Sequence, residues 1–320
     1  MRKWSILFLL LFSPAVLLSC RPAGGPSGQE RPLQVVTTLF PLYDFARNVG
    51  GRKANVTLLL PPGVEPHSFE PRPRDILRIN QADLFIFTGP FMEPWAGTLV
   101  KSEENRNLVV VNSSNGVDLL HHSEGGERHG EGGSRAVGPT THEDPVDPHI
   151  WLDLVNAQKM TDTILAGFAK KDPKNKGLYE ENASAYKAKL RRLDEEFRNG
   201  LNNCKTRLFV HGGHYAFNYL ARRYDLTYVS AYGSSPNAEP SPRHLAEIIQ
   251  KIRQQKVGYV FYEELIQPRL AETIARETGA RLLPLNGGHN VSKEELDKGV
   301  TFISLLQQDL TNLKIGLQCR

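Results

Sequence analysis

Four histidines carry the chemistry this chain could do. His67, His214 and His289 each stand a few residues after a short apolar run, in loops built from proline or glycine. His67 closes Pro61-Pro62-Gly63-Val64-Glu65-Pro66-His67, where three prolines fix φ and stiffen the approach. His214 closes His211-Gly212-Gly213-His214, and His289 lies in Asn286-Gly287-Gly288-His289-Asn290. His149 follows a proline and precedes a helix start in Asp147-Pro148-His149-Ile150-Trp151-Leu152-Asp153. Two of the four come from each half of the chain, so a cleft between the halves could gather four imidazoles. That set suits tetrahedral Zn(II), with short metal–nitrogen bonds. His211 and His244 read as structural, or as supports behind the ligands.

A second population of histidines lies close together. His121, His122, His129 and His142 fall in a glycine- and acid-rich stretch that ends at His149, the composition of a metal-binding segment. It holds too few apolar residues to fold alone. Its imidazoles could collect Zn(II) weakly and pass it to the cleft; the alternative is a solvated insertion with no part in uptake.

The elements that must position these rings alternate as strands and helices, the pattern of α/β units with mainly parallel sheets. Strands are expected at 33–38, 56–60, 84–88, 108–111, 207–210, 226–230, 257–262 and 281–285, with helices near 41–49 and 73–81 separating the first three. Asp153 caps a helix running to about Lys170. Beyond Asp172-Pro173, the apolar positions Leu178, Ala183, Tyr186, Leu190, Leu193, Phe197 and Leu201 keep helical spacing for most of seven turns. Ser241-Pro242 starts another helix, Ser292 with Glu295 reads as a capping box, and Gly279 ends the helix before it. The expected organisation is an α/β lobe at 33–170 carrying the histidine-rich loop at 120–147, a linking helix at 171–203 and a second α/β lobe at 204–320. In such sheets ligands collect at the carboxyl ends of the strands, where the four histidines fall.

The N-terminus sets the compartment. Arg2 and Lys3 precede an apolar stretch from Ile6 to Leu18 that ends in Leu17-Leu18-Ser19-Cys20, a signal peptide too short to span a bilayer at about 20 residues per crossing. The sequence around Cys20 looks like a lipobox, which would make Cys20 the lipidated first residue of the mature chain; the alternative is an ordinary secretory signal that contains a cysteine. Residues 20–32 are the Pro/Gly/Ser-rich tether such an anchor uses. The formal charge of +4 includes Arg2 and Lys3, and acids and bases are intermixed, so nothing points to nucleic acid. The two remaining cysteines, Cys204 and Cys319, form an even pair in an oxidising compartment and invite a disulfide, the alternative being two buried thiols. No GxxxxGK[ST] phosphate loop occurs.

Five segments, PPGVEPHSFEPRP (61–73), DPHIWLD (147–153), DPKNKGLYEENASAYKAKLRRLDEEF (172–197), GGHYAFNYLARRYDL (212–226) and KGVTFISLLQQDLTNLKIGLQC (298–319), carry a resemblance. With them the chain resembles the metal-binding lipoproteins of bacterial ABC importers for zinc and manganese, the cluster A-I solute-binding proteins. The resemblance implies two α/β lobes joined by one long helix, with a metal held in the cleft by His67, His149 and His214. It also implies a fourth, carboxylate ligand near Asn286 to Asn290, where this chain has none. His289 is the expected substitute; Glu263, Glu264 and a bound water compete for the position.

Imidazole ligands without a carboxylate favour Zn(II) over Mn(II), and the histidine-rich loop resembles that of the zinc branch. The implied partners are a membrane permease with its cytoplasmic ATPase, and the protein is expected to act as a lipid-anchored extracytoplasmic monomer. It would capture and deliver the metal, with no bond made or broken. Neutral imidazoles bind metal, so affinity is expected to fall as pH drops through about 6.5, the ordinary imidazole pKa. A manganese-binding member of the same family and a metal-binding surface adhesin are the alternatives. A secreted zinc hydrolase is disfavoured, because HxxH at 211–214 lacks the glutamate of HExxH.

Overall fold

Short runs of β-branched and apolar residues, each followed by an amphipathic helix, give two parallel sheets of four strands. The computed structural model describes residues 31–101, 106–121, 146–232, 241–263 and 268–320. Residues 1–30, which hold the expected signal peptide, Cys20 and most of the expected tether, and His122, His129, His142 and Glu264 lie outside the described residues. Residues 32–320 pack as one compact unit.

The first lobe runs β1 (Leu33–Thr37), α1 (Phe40–Gly50), β2 (Ala54–Leu58), α2 (Pro73–Asn80), β3 (Leu84–Phe87), α3 (Pro94–Lys101) and β4 (Val109–Asn112). Then α4 (Leu154–Lys171) and α5 (Lys176–Leu201) lead into the second lobe. That lobe runs β5 (Leu208–His211), α6 (Asn218–Arg223), β6 (Thr227–Ser230), α7 (Pro242–Gln255), β7 (Tyr259–Glu263), α8 (Arg269–Thr278), β8 (Arg281–Leu285), α9 (Lys293–Asp297) and α10 (Phe302–Gly316). The strand orders are β2-β1-β3-β4 and β6-β5-β7-β8, the same topology twice, with every pairing parallel.

Local chemistry sets the helix ends. The Asp153 side chain accepts from the backbone N–H groups of Val155 and Asn156 at the start of α4, and Ser241 accepts from His244 N at the start of α7. Ser292 and Glu295 form the capping box of α9, and Gly279 ends α8 at φ 75°.

The linking helix α5 has 26 residues, roughly 39 Å at 1.5 Å per residue. Its buried face is Tyr179, Ala183, Tyr186, Leu190, Leu193, Phe197 and Leu201. Leu178, expected on that face, is 39% exposed. Tyr179 takes its place, with its ring against Phe168 and its hydroxyl donating to Asp172 Oδ2 at 2.7 Å. A tyrosine can bury its ring and still satisfy its hydroxyl at the helix start, which leucine cannot do. One apolar core runs through α1, α4, α5 and α10 and reaches both sheets, taking in Val35 and Leu84 on one side and Phe209 and Phe261 on the other. That shared core gives the cleft a rigid back.

The cysteine pair is oxidised: Cys204 and Cys319 form a disulfide across 115 residues. It ties the segment after α10 to the chain just before β5.

Candidate metal centre

The functional loops leave the carboxyl ends of the strands and meet between the two sheets. His67 lies beyond β2, His149 beyond β4 and the loop before α4, His214 beyond β5, and Glu263 is the last residue of β7. The pairing of β5 with β7 aligns His211 with Phe261, which leaves Glu263 beside the returning His211–His214 turn. Gly213 permits that approach. A Cβ there would lie 2.6 Å from His211 Cε1 and 2.9 Å from Glu263 Oε2.

Three of the four expected ligands come together. One ligand atom from each of His67, His149 and His214 lies within 4.8 Å of the other two. Their ring centroids form a nearly equilateral triangle, at 5.2 Å (His67 to His149), 5.3 Å (His67 to His214) and 5.1 Å (His149 to His214).

Two buried carboxylates orient two of the rings. Asp147 Oδ1 is 2.9 Å from His149 Nδ1 and also accepts from the His149 backbone N–H at 3.1 Å. Glu263 Oε2 is 2.7 Å from His214 Nδ1. A carboxylate accepts a proton on Nδ1, which leaves the lone pair of each ring on Nε2. The two Nε2 atoms face each other at 3.1 Å, and His67 Nε2 is buried without a hydrogen-bond partner. Lone pairs brought this close repel unless a cation sits among them. Nitrogen ligands about 2.0–2.1 Å from a tetrahedral Zn(II) would be spaced by about 3.3 Å, close to the separation found here.

Burial, reinforced by the neighbouring His214, lowers the His67 imidazole to about 4. That ring is therefore neutral far below the ordinary 6.5 and offers its lone pair without shedding a proton. Burial alone would raise the Glu263 carboxyl, but the His214 hydrogen bond and the His214, His289 and His211 rings outweigh it and hold it at about 2. It stays an anion and keeps its grip on His214.

His289 is placed differently. It is buried at 3% exposure, its ring centroid is 5.9 Å from that of His214, and its Nε2 lies 3.6 Å from Glu263 Oε1. It stands beside the triangle of nitrogens, in a loop whose turn at Gly288 has φ +69°, a conformation that glycine adopts without strain. Glu263 reaches the Nδ1 side of His214, away from the point where the Nε2 atoms converge. His211 packs edge-on against Phe217 behind the site, with Nδ1 3.2 Å from the His214 carbonyl, and burial lowers it to about 4. His244 contacts the Ser230 carbonyl from α7. His121 is exposed and bridges Val146 at the neck of the histidine-rich loop.

The orienting role of Asp147 and Glu263 is absent from the sequence reading. For Asp147 a signal existed: a carboxylate two residues before a histidine can reach both its backbone N–H and its Nδ1. For Glu263 only strand pairing reveals the contact. Replacing either by its amide, Asp147→Asn or Glu263→Gln, is expected to weaken metal affinity by about 10–100-fold, measured by competition with a chromogenic chelator. Unchanged affinity in both variants would show that the carboxylates do not set the rings.

The family model described as zinc-uptake complex component A, periplasmic (ZnuA), matches residues 35–316. The high-affinity zinc uptake system protein ZnuA of Bacillus subtilis strain 168 is 38% identical over 319 residues, covering 99% of this chain and 98% of that protein. The zinc-binding lipoprotein AdcA of Streptococcus pneumoniae is 34% identical over 317 residues, and the chain spans 61% of that longer relative. The crystal structure of the Zn(II)-bound ZnuA-like domain of pneumococcal AdcA superposes with a TM-score of 0.74 at 34% identity, covering 89% of this chain and 99% of that one. The chain belongs to the ZnuA family of zinc-uptake solute-binding proteins.

Proposed function

We propose that this protein is the extracytoplasmic Zn(II)-binding component of an ABC importer, which captures the metal in its cleft and delivers it to a membrane permease served by a cytoplasmic ATPase. The observation that carries this reading is the convergence of three histidine nitrogens, two of them aimed by buried carboxylates. His67, His149 and His214 hold the metal, and His289 supplies the fourth ligand. An imidazole set selects Zn(II) over Mn(II). No bond is made or broken, so the protein is not an enzyme. A signal peptide at 1–19, lipidation at Cys20 and the tether to residue 32 anchor a monomer to the membrane, with lobes at 33–170 and 204–320 joined through 171–203.

The histidine-rich loop, with His121, His122, His129 and His142, serves as a weak collector of zinc. Its neck is pinned: Asp147 N donates to Leu120 O at 2.8 Å, and the Tyr219 hydroxyl accepts from Leu120 N at 2.8 Å while donating to Asp147 O at 3.2 Å. A loop closed at its base can be shortened at little cost. Calorimetric titration is expected to give one tight Zn(II) site that Mn(II) does not compete for at equal concentration. Deleting the loop should keep that site and remove additional weak ones. Displacement of zinc by manganese, or the absence of a tight site, would refute the proposed function, and unchanged stoichiometry after deletion would refute the loop's role.

A further inference from the structure

Asn290, the residue after His289, is fully buried and has no part in the coordination scheme above. Its side-chain amide crosses the cleft and donates twice, to Pro61 O at 2.9 Å and to Val64 O at 2.7 Å. Its Oδ1 accepts from Val291 N at 2.9 Å, and Gly63 N donates to Val291 O at 2.9 Å. Pro61, Gly63 and Val64 belong to the loop that ends in His67, on the other lobe. Two more bonds hold the His289 loop to the first lobe: Trp151 Nε1 donates to Gly287 O at 2.8 Å, and Phe40 N donates to His289 O at 3.2 Å.

The chemistry at position 290 is selective. Two carbonyls facing one side chain require two N–H donors from it, which the asparagine NH2 supplies from a single atom. Reversing the amide would set oxygen against two carbonyls and nitrogen against the Val291 N–H, so the network fixes its orientation. Aspartate would place acceptor against acceptor, and alanine would leave buried carbonyls without donors.

His67 depends on such support. Glu65 holds its backbone, accepting from His67 N and Ser68 N, each at 2.9 Å, whereas Asp147 and Glu263 hold the rings of His149 and His214 themselves. We propose that Asn290 is a positioning residue of the metal site: from the second lobe it clamps the His67 loop, so that His67 is set against His149 and His214 before metal arrives. This rests on the metal-site reading given above. The clamp also joins the His67 and His289 loops into one unit, so release of metal requires that unit to shift as a whole or the clamp to open.

The test compares the full chain with N290A, H67A and the double variant, reading zinc affinity and release rate by chelator competition. N290A is expected to bind about 10-fold more weakly and to release faster. The double variant should bind no more weakly than H67A alone, since residues that act through one another are not additive. Wild-type affinity in N290A, or full additivity with H67A, would overturn the assignment. A wild-type chain that binds no zinc would instead remove the site reading, and this assignment with it.

Hydrogen exchange at the Gly63 amide, in zinc-free wild-type protein, keeps the test decisive if N290A fails to fold. Protection of that amide supports a clamp already formed before metal, and exchange at the open-chain rate overturns it.

Discussion

Replacing His214 by alanine is expected to weaken zinc binding by about a hundredfold or more while the protein remains folded. Structural zinc sites contribute about 10–16 kcal/mol of apparent binding energy, so one ligand in four accounts for roughly 3 kcal/mol, about two powers of ten. His214 is the choice because it links every part of the site. Its Nε2 faces that of His149 at 3.1 Å, its ring adjoins His67 and His289, and its Nδ1 is held by Glu263. The variant also strips a buried carboxylate of its main partner, a loss of about 1–3 kcal/mol visible as a lower melting temperature of the zinc-free protein.

Circular dichroism would establish the fold, and chelator competition the affinity. His244→Ala is the control: that ring contacts the Ser230 carbonyl from α7, and its loss should leave zinc affinity unchanged. Wild-type affinity in the His214 variant would remove His214 from the site and the proposed function with it.

Reducing the Cys204–Cys319 disulfide, or replacing both cysteines by serine, is expected to produce the largest loss of stability without loss of zinc binding. The bond closes a loop of 115 residues, which in the chain-entropy account contributes about 4–5 kcal/mol by restricting the unfolded chain. For a body of this size that is a fall of about 7–8 °C in melting temperature. The native ends lie together without the bond, since Lys205 N donates to Gln318 O and Thr206 N to Leu317 O, each at 3.3 Å, and Arg320 N to Asn203 O at 3.0 Å. The folded structure should therefore persist on reduction at low temperature. Zinc affinity should be unaltered there, because the disulfide precedes the amino end of β5 whereas His214 follows its carboxyl end. Identical melting curves with and without reductant would refute the stabilising role. A parallel drop in affinity would show that the two ends of the second lobe are coupled.

Much of this protein is legible in its sequence because it is local. Each strand lies within two residues of its expected bounds, since a short β-branched run between turn residues has few alternatives. The caps at Asp153, Ser241, Ser292 and Gly279 follow from side chains that bond their own neighbours. The buried face in the first turn of α5 differs from the expected one for the opposite reason. Leu178 and Tyr179 both fit helical spacing, and which one is buried depends on Phe168 and Asp172, in and just beyond the preceding helix.

The candidate site divides along the same line. Sequence alone determined which histidines were candidates, since imidazoles in stiff loops after strands must gather wherever the strand ends gather. Tertiary structure alone decided how they are used. It brought His67, His149 and His214 together, set His289 beside them facing Glu263, and gave Asn290 its hold on the His67 loop. These contacts join residues 26 to 229 positions apart. Such distances are set by strand pairing and by the packing of one lobe against the other, and neither leaves a periodic mark in the chain.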